Sequence, residues 1–186
     1  MDRFQIAMEN TAFVNAFWVF VGIVAGALIQ WVLNYLTFRS SFRRARRVFY
    51  SEVLINWREL RSLEIRLKQL RKAIEDGTAR AELVSVDMSR FAYRTIDLLI
   101  NSGNFHQIFS PETMSKVFEF SSVFNQNYGN YSTGRIRDNL ASEEGLAAVS
   151  HLSLILDALE NSKQYLEDVS VELRMPSPEK IGNSEQ

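Results

Sequence analysis

From Asn10 to Phe38 the chain carries no charged residue. Thr11–Phe38, 28 residues, would extend about 42 Å as a helix at ~1.5 Å per residue. A bilayer hydrocarbon core is about 30 Å thick and needs about 20 residues, so tilt or extension into the headgroups absorbs the surplus. Trp18 lies toward one end, with Trp31 and Tyr35 toward the other. That separation, roughly 26 Å, suits two aromatic belts. A cleaved signal peptide fits less well. Asp2 and Glu9 outnumber Arg3 before the apolar run, and the run exceeds the ~7–15 residues of a signal h-region. A buried core helix is the other alternative, and it is disfavoured by length. The expectation is one transmembrane helix over 11–38. Arg39, Arg43, Arg44, Arg46 and Arg47 follow directly, against Arg3 alone before the segment. Basic residues remain on the cytoplasmic side. The expected arrangement is therefore a short extracytoplasmic N-terminus over 1–10 and a cytoplasmic domain beyond 38, at a bacterial inner membrane. The five arginines are candidate ligands for anionic lipid headgroups.

The segment has two unlike faces. With an advance of about 100° per residue, Thr11, Asn15, Gly22, Gly26, Gln30, Asn34 and Thr37 fall within an arc of about 140°. Phe13, Phe17, Phe20, Trp31, Tyr35 and Phe38 occupy the rest. Aromatic side chains suit lipid, whereas amides in hydrocarbon need partners. Gly22 and Gly26 have GxxxG spacing, which lets two helices approach closely. Asn15, Gly22, Gly26, Gln30 and Asn34 are thus candidates for a self-association face or, in a larger ring, a pore lining. A plain anchor whose amides reach the interface is the remaining reading.

Charge is uneven along the rest of the chain. Residues 39–80 hold 12 Lys+Arg against 5 Asp+Glu, and residues 81–186 hold 8 against 15. The basic excess adjoins the apolar segment, so topology accounts for it and no nucleic-acid partner is expected. There is no cysteine, which excludes disulfides, thiol nucleophiles and Cys-based metal sites. With three prolines, long helices are expected.

The fold class read from these patterns is all-α: the transmembrane helix, then a long-helix, four-helix-bundle-like domain over 39–175, then a disordered tail over 176–186. Arg39–Asp76 is one predicted helix with Gly77 at its end. Its seam is Val53, Leu60, Leu67 and Ile74, with Asn56, Leu63 and Leu70 beside it. Asn56 either fixes a coiled-coil register or is satisfied inside a bundle. A second helix is predicted over Asp87–Ser102, with Phe91, Ile96, Leu99 and Ile100 inward. A third starts at Ser110-Pro111-Glu112, an N-cap serine followed by proline and an acid, and runs to about Asn127. It buries Val117, Phe120, Val123 and Phe124. Tyr128–Gly134 reads as a loop. A last helix over Ser142–Leu173 places Leu152, Leu159, Leu166 and Leu173 on one seam and Val149 and Leu156 on its partner. Its acids suggest antiparallel packing on the basic first helix.

Recognisable chemistry is scarce. His106 and His151 lie in neither HExxH nor Glu-x-x-His spacing. Phosphate-binding and nucleophile-elbow glycine motifs are missing. No Arg stands five to seven residues before either histidine, so the nuclease motif of HEPN ribonucleases is lacking. Asp157 and Glu160 share a face without a His partner. No cofactor, metal, small-molecule substrate or catalytic residue is expected. The layout of membrane helix, Arg cluster and a Glu52-x-x-x-Asn56-x-x-x-Leu60 core resembles small bacterial single-pass proteins of mobile or phage-defence loci, including accessory membrane proteins of RNA-targeting CRISPR systems. That resemblance implies an oligomeric membrane effector, self-associating or pore-forming, and assigns no residue roles.

Overall fold

The computed structural model describes residues 2–101 and 108–184, with side chains described over 16–101 and 108–181. It is all-helical, with no strand among the described residues. Among the described residues, six α-helices follow in order, with a 3-10 turn at Ala81–Leu83 after the first: α1 (Asp2–Glu75), α2 (Arg94–Asn101), α3 (Pro111–Val123), α4 (Gln126–Ala141), α5 (Gly145–Glu172) and α6 (Pro178–Ser184). The chain divides into two compact units, Met1–Arg44 and Ala45–Gln186. The helix begins at Asp2, not at the apolar boundary near residue 11.

In the first unit, Phe17, Trp18, Ile23, Trp31 and Leu36 are each more than half exposed. Ring pairs here join neighbours on the helix, as in the stacked pair Trp31–Tyr35 at 6.1 Å. An 18-residue window of this part has mean hydropathy 2.1 and no buried residue. By length and composition it is one helix able to cross a membrane.

In the second unit the core follows the predicted seams closely. Val53, Leu60, Leu63, Leu67 and Ile74 of α1 are buried, as are Leu152, Leu159, Leu166 and Leu173. Leu70, Val149 and Leu156 are half-buried, and Ile155 is fully enclosed instead. The shift has a structural cause: α5 is packed by α3, α4 and α6, so its buried arc is wider than one seam. The proximity of Gly145 to Ile74, the Lys163–Glu64 ion pair and the Tyr50 bond to Pro176 set α5 antiparallel to α1. At that ion pair the acid comes from the basic helix and the base from the acidic one, the reverse of the expected complementarity.

Helix ends follow backbone chemistry. Ser110 caps α3 by accepting from Thr113 N–H at 3.2 Å, with Pro111 first in the helix. After α1, Gly77 (φ 68°) donates to Ile74 and Thr78 donates to Ala73. This paired closure needs a left-handed residue. The same closure ends α4 with Glu143 (φ 59°) and α5 with Arg174 (φ 55°), where no glycine stands.

Three expectations need correction. The second helix starts at Arg94, not Asp87: residues 84–93 form no helix, with a turn at Ser89-Arg90, and their backbone is held by side chains. Ile100, predicted inward, is 41% exposed, and Ser102 falls outside the described residues. Residues 128–134, read as a loop, lie inside α4; Asn125 caps it by accepting from Tyr128 N–H at 3.0 Å. Within the stretch 176–186, read as a disordered tail, Pro178–Ser184 form the helix α6, and residues 185 and 186 fall outside the described residues. Glu167 accepts there from Ser177 Oγ at 2.8 Å and Glu179 N–H at 3.3 Å.

Candidate functional site

The sequence singles out α1 on both sides of the unit boundary. Gly22, Gly26, Gln30 and Asn34 are all exposed. A Cβ built on either glycine meets nothing within 4 Å. The two amides take no hydrogen bond among the described residues, although Ser40 and Ser41 nearby bond back to Thr37 and Phe38 carbonyls. The side chain of Asn15 lies outside the described residues. Arg39, Arg43, Arg44 and Arg47 are exposed, and Arg46 is half-buried.

The Glu52–Asn56 pair has a clear structural role. Asn56 is 3% exposed. Its Nδ2 donates to the Ala92 carbonyl at 2.9 Å, and its Oδ1 accepts from Ala92 N–H at 2.7 Å. One amide thus imitates a strand edge for a single residue. Glu52, four residues earlier on the same face, accepts from Thr95 N–H at 2.6 Å through Oε1. That is a carboxylate on the first turn of α2, where unpaired N–H groups and the positive end of the helix favour it. The buried Asn56 therefore secures a segment of its own chain, and the coiled-coil reading has no support. Glu52 and Asn56 also line a small cavity with Phe49, Lys116, Phe120 and Tyr165.

A second clamp was not foreseen. On α4, Gly129, Thr133 and Arg137 recur every four residues and face Val84 and Val86. Thr133 Oγ1 accepts from Val86 N–H at 2.9 Å. Arg137 Nε and Nη2 donate to the Val84 carbonyl at 3.0 and 2.8 Å. A Cβ on Gly129 would lie 2.6 Å from the Val86 carbonyl oxygen. The spacing is visible in the sequence, but two glycines and three asparagines between Asn125 and Gly134 read as turn chemistry.

Lys116, Asp168, Glu64 and Lys163, outside the apolar stretch, sit in ion pairs. Lys116 bridges Asp168 at 2.9 Å and Glu112 at 3.0 Å. The bond from Lys116 holds the Asp168 carboxyl below its usual range. Burial pushes Glu64 up, but hydrogen bonds from Lys163 and Lys68 outweigh it and leave the carboxyl lowered. His151 packs edge-on to Tyr131 at 6.2 Å. Burial, and then the charge of Arg135, lower its pKa. His106 lies outside the described residues. Asp157 is exposed and Glu160 pairs with Lys163 at 2.8 Å. Among the described residues no three His, Asp or Glu side chains gather as metal ligands. No family model, curated protein or solved structure matches the chain.

Proposed function

We propose that the chain is a non-enzymatic, homo-oligomeric membrane-anchored module at a bacterial inner membrane, whose cytoplasmic helical unit binds itself or a protein partner. The observation that carries this reading is the exposed polar and small stripe of α1. Gln30 and Asn34 stand on an apolar helix without hydrogen bonds among the described residues, beside Gly22 and Gly26, whose surroundings are open. In hydrocarbon such amides gain by pairing across a helix contact, an effect of about 0.6–2 kcal/mol each. Glycines at that spacing let backbones meet. The exposed arginines that follow match anionic headgroups at the inner surface.

The test is the mass of the purified protein in detergent, combined with crosslinking. An oligomer is expected for the natural chain, and weakening is expected in Gly22→Leu and Gly26→Leu. A strictly monomeric protein, indifferent to both changes, overturns the proposal. The same amides favour a second reading: a ring in which Asn15, Gln30 and Asn34 face water, as in a membrane-perturbing effector of the phage-defence kind. It predicts dye leakage from vesicles carrying the protein, abolished by Gln30→Leu with Asn34→Leu. Oligomers that never leak leave contact as the role of the stripe.

A further inference from the structure

Glu52 is 9% exposed, and its two carboxylate oxygens are not alike. Oε1 accepts from Thr95 N–H at 2.6 Å. Oε2 is shielded from solvent and meets no donor among the described residues. A buried carboxylate oxygen is stable only when something donates to it. Beside it lies the cavity it lines, with about 20 Å³ open to the centre of a water-sized sphere. One water needs about 10–15 Å³ by that measure, together with two or more polar partners.

Donors remain to hold such a molecule. Asn56 spends one Nδ2 hydrogen on the Ala92 carbonyl and keeps a second. Lys116 spends two ammonium hydrogens on Asp168 and Glu112 and keeps a third. Both residues line the cavity. A hard cation is a poor fit, because it needs about six or more oxygen ligands and the other lining side chains are mostly apolar. An apolar guest would leave Oε2 unmet.

We infer that this cavity is a binding site for a single structural water, which donates to Glu52 Oε2 and accepts from the spare hydrogen of Asn56 or Lys116. The water completes the hydrogen bonding of the carboxylate while Oε1 caps α2. The clamp of α1 on α2 and the residues just before it then comprises Glu52, Asn56, the Ala92 backbone, the Thr95 amide and one water.

Isotope-labelled full-length protein in detergent micelles tests this through magnetisation transfer from water to the Thr95 amide and the Asn56 side-chain amide. A long-lived water is expected at both groups. It should be lost in Glu52→Met, which removes the acceptor, and in Val117→Leu, which fills the cavity and keeps the carboxylate. Val117→Leu also guards against a Glu52 variant that fails to fold. A natural protein with no long-lived water at these amides overturns the inference, whether the site is dry or Lys116 pairs directly with Glu52. A signal unchanged in both variants overturns it as well.

Discussion

At the scale of single residues, glycine is decisive at one site and dispensable at another. Gly129 faces the Val86 carbonyl so closely that a methyl group would sit 2.6 Å from it. Gly129→Ala should destabilise the fold by about 1–3 kcal/mol, as overpacking does. Gly134 lies in the same helix with nothing within 4 Å of a built Cβ. Gly134→Ala should stabilise by about 0.5–1 kcal/mol through helix entropy. Denaturant titration of the two variants side by side measures the contrast, and equal effects would sink the close-approach argument. Glu143 and Arg174 hold left-handed backbone at helix ends, where a side chain costs roughly 1–2 kcal/mol. Glu143→Gly and Arg174→Gly should each raise the melting temperature. A lowered value in both would show that their side chains contribute more than the strain removes.

At the scale of elements, residues 84–93 are held from two sides by side chains rather than by a sheet. Asn56 is the stronger fastening, since it satisfies both backbone groups of Ala92. Asn56→Leu keeps the volume and strands an N–H and a carbonyl, at about 1–3 kcal/mol for each group left without a partner. Hydrogen exchange checks it: protection should fall first at Ala92 and Thr95, before the centre of α5. The ion pairs that join α5 to α1 and to α3 predict a pH effect. Glu64 has a folded pKa below its ordinary 4.5, and Asp168 one below its ordinary 3.8. A lowered folded pKa contributes stability that is present above the unfolded value and lost as pH falls through the folded one. Stability should therefore decline below about pH 4.5. Glu64→Gln should flatten the upper part of that decline in acid titrations followed by circular dichroism. Both carboxyls are partly exposed, so solvent screening keeps the effect modest.

At the scale of the whole molecule, the proposed topology is testable because the chain has no cysteine of its own. Gln5→Cys and Lys180→Cys give one thiol on either side of the apolar stretch. In intact bacterial cells an impermeant maleimide should label position 5 and spare position 180 until the membrane is opened. The opposite pattern would reverse the orientation, and equal labelling of both would argue against a spanning helix.

Much of this was legible in order along the chain. An uncharged run of apolar residues marks a helix able to cross a bilayer, because length and hydropathy are local properties. The heptad leucines mark the core faces of α1 and α5, because helical periodicity is local too, and Ser110-Pro111 sets the start of α3. Only the tertiary structure decided that residues 84–93 form no helix, that a glycine- and asparagine-rich stretch is helical, and that Pro178–Ser184 are helical. Each of those outcomes depends on partners between 10 and 53 positions away in the chain. Local propensity favours a turn or a solvated tail at such places, and long-range hydrogen bonds donated by Asn56 and Arg137 and accepted by Asn56, Thr133 and Glu167 outweigh it.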